Sequence, residues 1–166
     1  MNQLSVYRVL TFILLPIVAV IGLITVLMLL VAVANPPVFL VVFLFASVDI
    51  YVISSFIFLQ KGIDQKKICN HSLRDWIRVN AIVSIVFCVL FLIQSAALLG
   101  NPTLLNDAFK QALEQQRELL TAPEETYMKA MKGVLYFFLV FSGLLLVHVI
   151  FTFRMLKTYR HMFKEK

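Results

Sequence analysis

The sequence predicts an all-α, polytopic membrane protein with four transmembrane helices and an amphipathic extracytoplasmic helix between the third and fourth spans. Three observations predict it. Val9 to Ala34 holds no charged residue, and Val38 to Leu59 holds only Asp49. A run of about 18 or more residues with few charges reads as a transmembrane helix, because ~20 residues at ~1.5 Å rise cross a ~30 Å hydrocarbon core. The 166 residues are 61% hydrophobic and 14% charged, with 15 Phe. A water-exposed domain of this size could not cover that much apolar surface with its own polar residues. Finally, residues 104–120 alternate apolar and charged positions at helical spacing, which marks a helix lying on a surface.

The whole chain is expected to form one transmembrane domain, with spans at about 9–34, 37–59, 77–100 and 133–153. Met1 to Tyr7 is a short polar start, and Arg8 marks the membrane edge. Ala32-Val33-Ala34 fits an A-x-A cleavage site, yet the apolar run before it is longer than the ~7–15 residues of a signal peptide. The first span is therefore expected to be retained. Pro16 predicts a bend near Phe12 to Pro16, and Gly22 lets another backbone approach closely. Asn35-Pro36-Pro37 ends the first helix, since a residue before proline avoids the α region. So short a turn demands an antiparallel partner.

In the second span Ser47, Tyr51 and Ser54 recur at helical spacing as a weakly polar stripe. Asp49 lies about 200° round the helix from Ser47 and points elsewhere. Gln60 to Asp75 reads as a polar connector. Ser72-Leu73-Arg74-Asp75 resembles a capping box, and Trp76 falls where an interfacial anchor belongs. In the third span, Ala96 and Gly100 make a small-xxx-small pair.

Asn101-Pro102-Thr103 breaks the chain and offers an N-cap at Thr103 for an amphipathic helix over 103–121. Leu104, Leu105, Ala108, Phe109, Ala112, Leu113, Leu119 and Leu120 share one half of its wheel. Asp107, Lys110, Glu114, Arg117 and Glu118 share the other. Its mixed charges do not suit a cationic lipid-binding helix. It is expected to lie over the bundle end, on the bilayer or against a partner, with Phe109, Leu113 and Leu120 as contacts. Thr121-Ala122-Pro123-Glu124 starts the last helix, which is expected to continue into a basic amphipathic tail over 154–166. There Met155, Leu156, Tyr159, Met162 and Phe163 share one face, and Lys157, Arg160 and Lys164 the other. Such a tail suits an anionic cytoplasmic leaflet.

Four spans put both termini on one side. Arg8, Lys61, Lys66, Lys67, Arg74, Arg78, Arg154, Lys157, Arg160, Lys164 and Lys166 lie there, against Lys110, Arg117, Lys129 and Lys132 opposite. By the positive-inside rule both termini are cytoplasmic, and a bacterial inner membrane is the expected location. The net charge of +6 does not imply a nucleic-acid partner, because the basic residues flank the spans.

No set of residues marks a known chemistry or family. Cys69 and Cys88 make no CxxC and no metal spacing. Ser142 and His148 sit on one helix and face different ways, and haem would need a second histidine at depth. No metal and no cofactor are expected. What remains is a set of single polar groups at depth: Asp49, His148, Gln94 and Ser84. An ionised carboxylate near the centre of a span is costly and marks function by default. His148 matches Asp49 in depth and is expected to pair with it. Gln94 and the serines are expected to bond between helices. The expected function is a non-catalytic accessory or assembly component of a membrane complex, in contact with the lipid bilayer and a membrane-protein partner or its own copies. The alternative is a small proton-linked transporter or channel centred on Asp49.

Overall fold

A computed structural model describes residues 3–116 and 123–163. Among them every regular element is helical: α1 (Gln3–Ala34), α2 (Val38–Ile57, continued by π-helical turns over Phe58–Asp64), α3 (His71–Gly100), α4 (Pro102–Gln116) and α5 (Glu124–Thr158). Four stretches, Gln3–Ala34, Val38–Asp64, His71–Gly100 and Glu124–Thr158, are long and apolar enough to cross a membrane. Only 22–33% of the residues in the most apolar part of each are buried, so most of that surface faces outward. Leu30, Val33, Leu40 and Ile93 are each 65–75% exposed. Helices that expose so many large apolar side chains need a non-aqueous surrounding.

The helices overrun the apolar runs. α1 begins at Gln3 and passes unbroken through Pro16, so Tyr7, placed by sequence in a polar start, is a fully buried helical residue. α3 begins at His71, ahead of the expected capping box. Its first turn is closed by Asn70, whose carbonyl accepts from Leu73 N–H at 3.1 Å, while His71 pairs with Asp75. Ser72 therefore lies within the helix. The non-helical connector shrinks to residues 65–70. A helix satisfies its own backbone groups, so it continues through the interface rather than stopping where hydrophobicity ends. At α4 the cap is Asn101 rather than Thr103. Its Oδ1 accepts from Thr103 N–H at 3.1 Å and Leu104 N–H at 3.4 Å, with Pro102 in the first helical position, where it loses no bond.

The described chain divides into two compact units. One comprises the chain up to Phe87 and from Leu144 onward; the other is Cys88–Gly143. In the first unit, α1 and α2 pack as an antiparallel hairpin across Asn35-Pro36-Pro37, closed by Val38 N–H to Asn35 O at 3.0 Å. Their buried residues include Leu14, Val18, Val48, Tyr51 and Val52. The end of α2 is tied down on both sides. Arg8 pairs with Asp64. Gly62 lies so close to the Phe58 ring and Cys69 Sγ that an added Cβ would approach them to 3.0 and 3.1 Å.

The tail departs from the expected amphipathic helix. α5 stops at Thr158, and a short 3₁₀ turn over Arg160–Met162 turns the chain back. Cys69 N–H donates to Met162 O at 2.7 Å, and the Phe163 ring stacks on Phe58 at 5.1 Å. Packing Phe163 against Phe58 and the connector removes it from water, which a straight helix end would not do. Lys157 and Arg160 remain exposed; Lys164 lies outside the described residues.

The second unit holds the end of α3, α4 and the start of α5. Phe91 and Phe138 pack at 4.8 Å between centroids. On α4, Leu105 and Phe109 are buried and Leu113 is half-buried, whereas Leu104 and Ala112 are exposed. The apolar stripe is thus narrower than the half-wheel, and Phe109 is used within the chain rather than presented outward. Leu119, Leu120 and Thr121 lie outside the described residues. Phe109→Asp is expected to lower stability in detergent by about 2–3 kcal/mol, since burying a Phe contributes ~1.5–3 kcal/mol and the carboxylate adds desolvation. Glu114→Ala, at an exposed position, should change it by a few tenths. Equal melting shifts for the two would show that α4 is not packed.

Candidate functional site: a closed ring of buried polar groups

Six buried residues of the first unit, Tyr7, Thr11, Tyr51, Ser55, His148 and Thr152, gather into one polar cluster that joins three helices. His148 on α5 lies at its centre with no exposed surface. Its Nδ1 meets Tyr51 Oη of α2 at 2.8 Å, and its Nε2 meets Thr11 Oγ1 of α1 at 2.9 Å. Tyr51 Oη also meets Thr152 Oγ1 at 2.7 Å, one turn beyond His148. Thr152 Oγ1 lies 3.4 Å from Ser55 Oγ, and Ser55 Oγ lies 2.6 Å from Tyr7 Oη. Thr11 donates to the carbonyl of Tyr7 at 2.7 Å. The Tyr7 ring stacks on the imidazole at 5.2 Å, and the Tyr51 ring meets it edge-on at 5.5 Å.

Counting protons assigns the directions at the imidazole. A neutral imidazole donates from one nitrogen and accepts at the other, and each hydroxyl has one proton to give. Thr11 gives its proton to Tyr7 O, so it accepts from His148 Nε2–H. Nδ1 then accepts from Tyr51 Oη–H. Beyond Tyr51 each proton has two acceptors: Thr152 Oγ1 lies 2.9 Å from the carbonyl of His148 and 2.7 Å from Tyr51 Oη, and Tyr7 Oη lies 3.1 Å from the carbonyl of Ser55 and 2.6 Å from its Oγ. The contacts run from the Tyr7 hydroxyl through Ser55, Thr152, Tyr51, His148 and Thr11 back to the Tyr7 carbonyl. It is a ring closed on one residue of α1, with every member buried. Fully satisfied networks of this kind fix a unique packing of helices.

Asp49 is not part of the ring, and the expected Asp49–His148 pair does not form. Both imidazole nitrogens are already engaged by Thr11 and Tyr51. Asp49 turns instead to α1, where Oδ2 accepts from Thr25 Oγ1 at 3.2 Å and Gly22 leaves room for the carboxyl. A Cβ on Gly22 would lie 3.5 Å from Oδ2, an ordinary contact. Tyr51 follows Asp49 by two residues, about 200° round α2, so matching depth could not bring both onto His148. The other carboxyl oxygen, Oδ1, is buried and has no partner among the described residues.

Of the other candidates, Ser84 bonds back to Asn80 O on its own helix at 2.8 Å and makes no bridge between helices. Ser47 does the same to Phe43 O. Gln94, in the second unit, is exposed. Sequence reasoning missed Tyr7, Thr11, Ser55, Thr152 and Thr25. Two i, i+4 pairs, Tyr51 with Ser55 and His148 with Thr152, were the available signal, because such pairs share a helix face. Among the described residues no three His, Cys, Asp or Glu side chains converge as metal ligands. No protein family matches the chain, and no curated protein or solved structure is similar to it.

Proposed function

We propose that the chain is a small, non-catalytic integral membrane protein of a bacterial inner membrane that serves as an accessory or assembly component of a membrane complex. Both termini and the connector 65–70 lie in the cytoplasm, and α4 lies on the opposite side. The closed ring carries this reading. The imidazole and its hydroxyls are spent on one another, so the most chemistry-capable cluster holds helices together instead of meeting a substrate. The surface left over is apolar, with Gln94 exposed beside Ile93, itself 65% exposed. An amide facing lipid lacks partners that a neighbouring transmembrane helix supplies. Purification in mild detergent should recover one larger membrane protein in fixed stoichiometry, and Gln94→Leu should weaken its retention. Recovery of a homogeneous assembly of this chain alone would overturn the accessory role.

The unpartnered Asp49 oxygen favours a second reading, a proton-linked transporter or channel. Liposomes holding the purified protein would then pass protons, and Asp49→Asn would abolish the flux with the fold intact. The missing pair with His148 takes away part of the support for it.

Orientation is tested by thiol labelling of intact cells. Asn35→Cys should react with a membrane-impermeant reagent and Lys66→Cys should not; the reverse pattern would overturn the topology. Native Cys69 is a poor reporter. It is 6% exposed, and burial pushes its thiol up, with the charge of Lys61 partly offsetting this. Little thiolate forms on either side of the membrane.

A further inference from the structure

A basin of about 460 Å³ lies between the end of α2 and the start of α3. Its walls are of two kinds. Lys61 and Lys67 supply two ammonium groups, with Asn70 beside them; Ile57, Ile68 and Leu73 supply apolar surface. Neither lysine has a carboxylate partner among the described residues, where Asp64 and Asp75 are taken by Arg8 and His71. Ile68 is 66% exposed, in a connector of six residues that also holds two lysines. The chain enters this connector through π-helical turns, and Lys66 has a φ of 51°, a backbone conformation that non-glycine residues seldom adopt. Trp76 gives the depth. It follows Leu73 by one helical turn, is 56% exposed, and belongs to the residue type that sits among lipid headgroups.

We propose that this basin binds one anionic phospholipid, its phosphate held by Lys61 and Lys67 and its acyl chains lying against Ile57, Ile68 and Leu73. The argument is one of matched ends. Uncompensated ammonium groups attract a phosphate, and they stand beside apolar side chains that a water-soluble anion could not cover. Basic pockets between transmembrane helices at the membrane edge are suited to such headgroups. The beginning of α3 adds the favourable end of a helix dipole. The proposal rests on the chain spanning a bilayer, and on nothing in the accessory role.

The test uses the full-length protein in neutral detergent micelles, which have no sides and hold no partner, so its outcome is independent of orientation and of the accessory role. Dioleoyl phosphatidylglycerol and dioleoyl phosphatidylcholine are added separately, and retained lipid is read by native mass spectrometry. Wild type should retain one phosphatidylglycerol and no phosphatidylcholine. Lys61→Gln with Lys67→Gln should weaken retention by about thirtyfold, as two basic residues near an anionic surface each contribute roughly fivefold. Lys61→Arg with Lys67→Arg should keep it, which separates lost charge from lost fold. Lys157→Gln with Arg160→Gln should leave it unchanged. Equal retention of both lipids, or equal loss in the tail variant, would overturn the site. Displacement of the lipid by millimolar inorganic phosphate would show a soluble-anion site and would overturn the lipid assignment.

Discussion

His148→Ala is expected to lower stability in detergent by about 3–4 kcal/mol, the largest loss for any single residue of the polar ring. The imidazole is fully buried and stacked on Tyr7, so its removal leaves a cavity between α1, α2 and α5. It also removes one partner each from Thr11 and Tyr51. His148→Phe separates the two contributions. Phenylalanine refills the volume, and the orphaned hydroxyls fall back on partners they already have: Thr11 on Tyr7 O, and Tyr51 on Thr152 Oγ1, whose own proton goes to the backbone carbonyl of position 148. Its cost should be near 1 kcal/mol, in line with the ~0.6 kcal/mol average for hydrogen bonds between membrane helices. Unfolding in mixed micelles, followed by Trp76 fluorescence, measures both. If alanine and phenylalanine cost the same small amount, the ring does not hold the helices together.

Asp49→Val should have the opposite sign, raising stability by about 2 kcal/mol. The carboxyl has one buried oxygen without a partner, a deficit of ~1–3 kcal/mol. Its one hydrogen-bond donor, Thr25, keeps the carbonyl of Ile21 at 2.9 Å and is not left orphaned. Insertion points the same way, since an Asp at the centre of a span costs ~2.5–3.5 kcal/mol and a Val is favourable. A loss of more than 1 kcal/mol instead would mean that the carboxyl is satisfied in the membrane by a bound water, ion or partner group. A more stable variant that fails to replace the wild-type gene would identify the carboxyl as one kept for function against stability.

The ring and the Asp49 site also mark where sequence reasoning stops. Apolarity and helix length are local properties, and in lipid each segment must satisfy its own backbone, so the four long helices and the Asn35-Pro36-Pro37 turn follow from the sequence alone. So does the presence of Asp49 and His148 within those helices, because a polar side chain in an apolar run is visible by itself. The facing of the helices is different. A water-exposed helix shows its buried side by amphipathic period, but lipid tails are as apolar as a protein core, and the membrane-crossing stretches of α1, α2, α3 and α5 are apolar on nearly every side. Nothing in the runs themselves says that Asp49 looks to Thr25, that Tyr51 looks to His148, or that Tyr7 belongs to the buried part of α1. Only packing decides which face meets a neighbour, because the choice is made by a few hydrogen bonds and close contacts between residues as far apart as Thr11 and His148. The tail shows the same limit. Its apolar spacing fits a straight amphipathic helix, yet Phe163 found a buried place against Phe58, and that gain is set by a residue more than a hundred positions away.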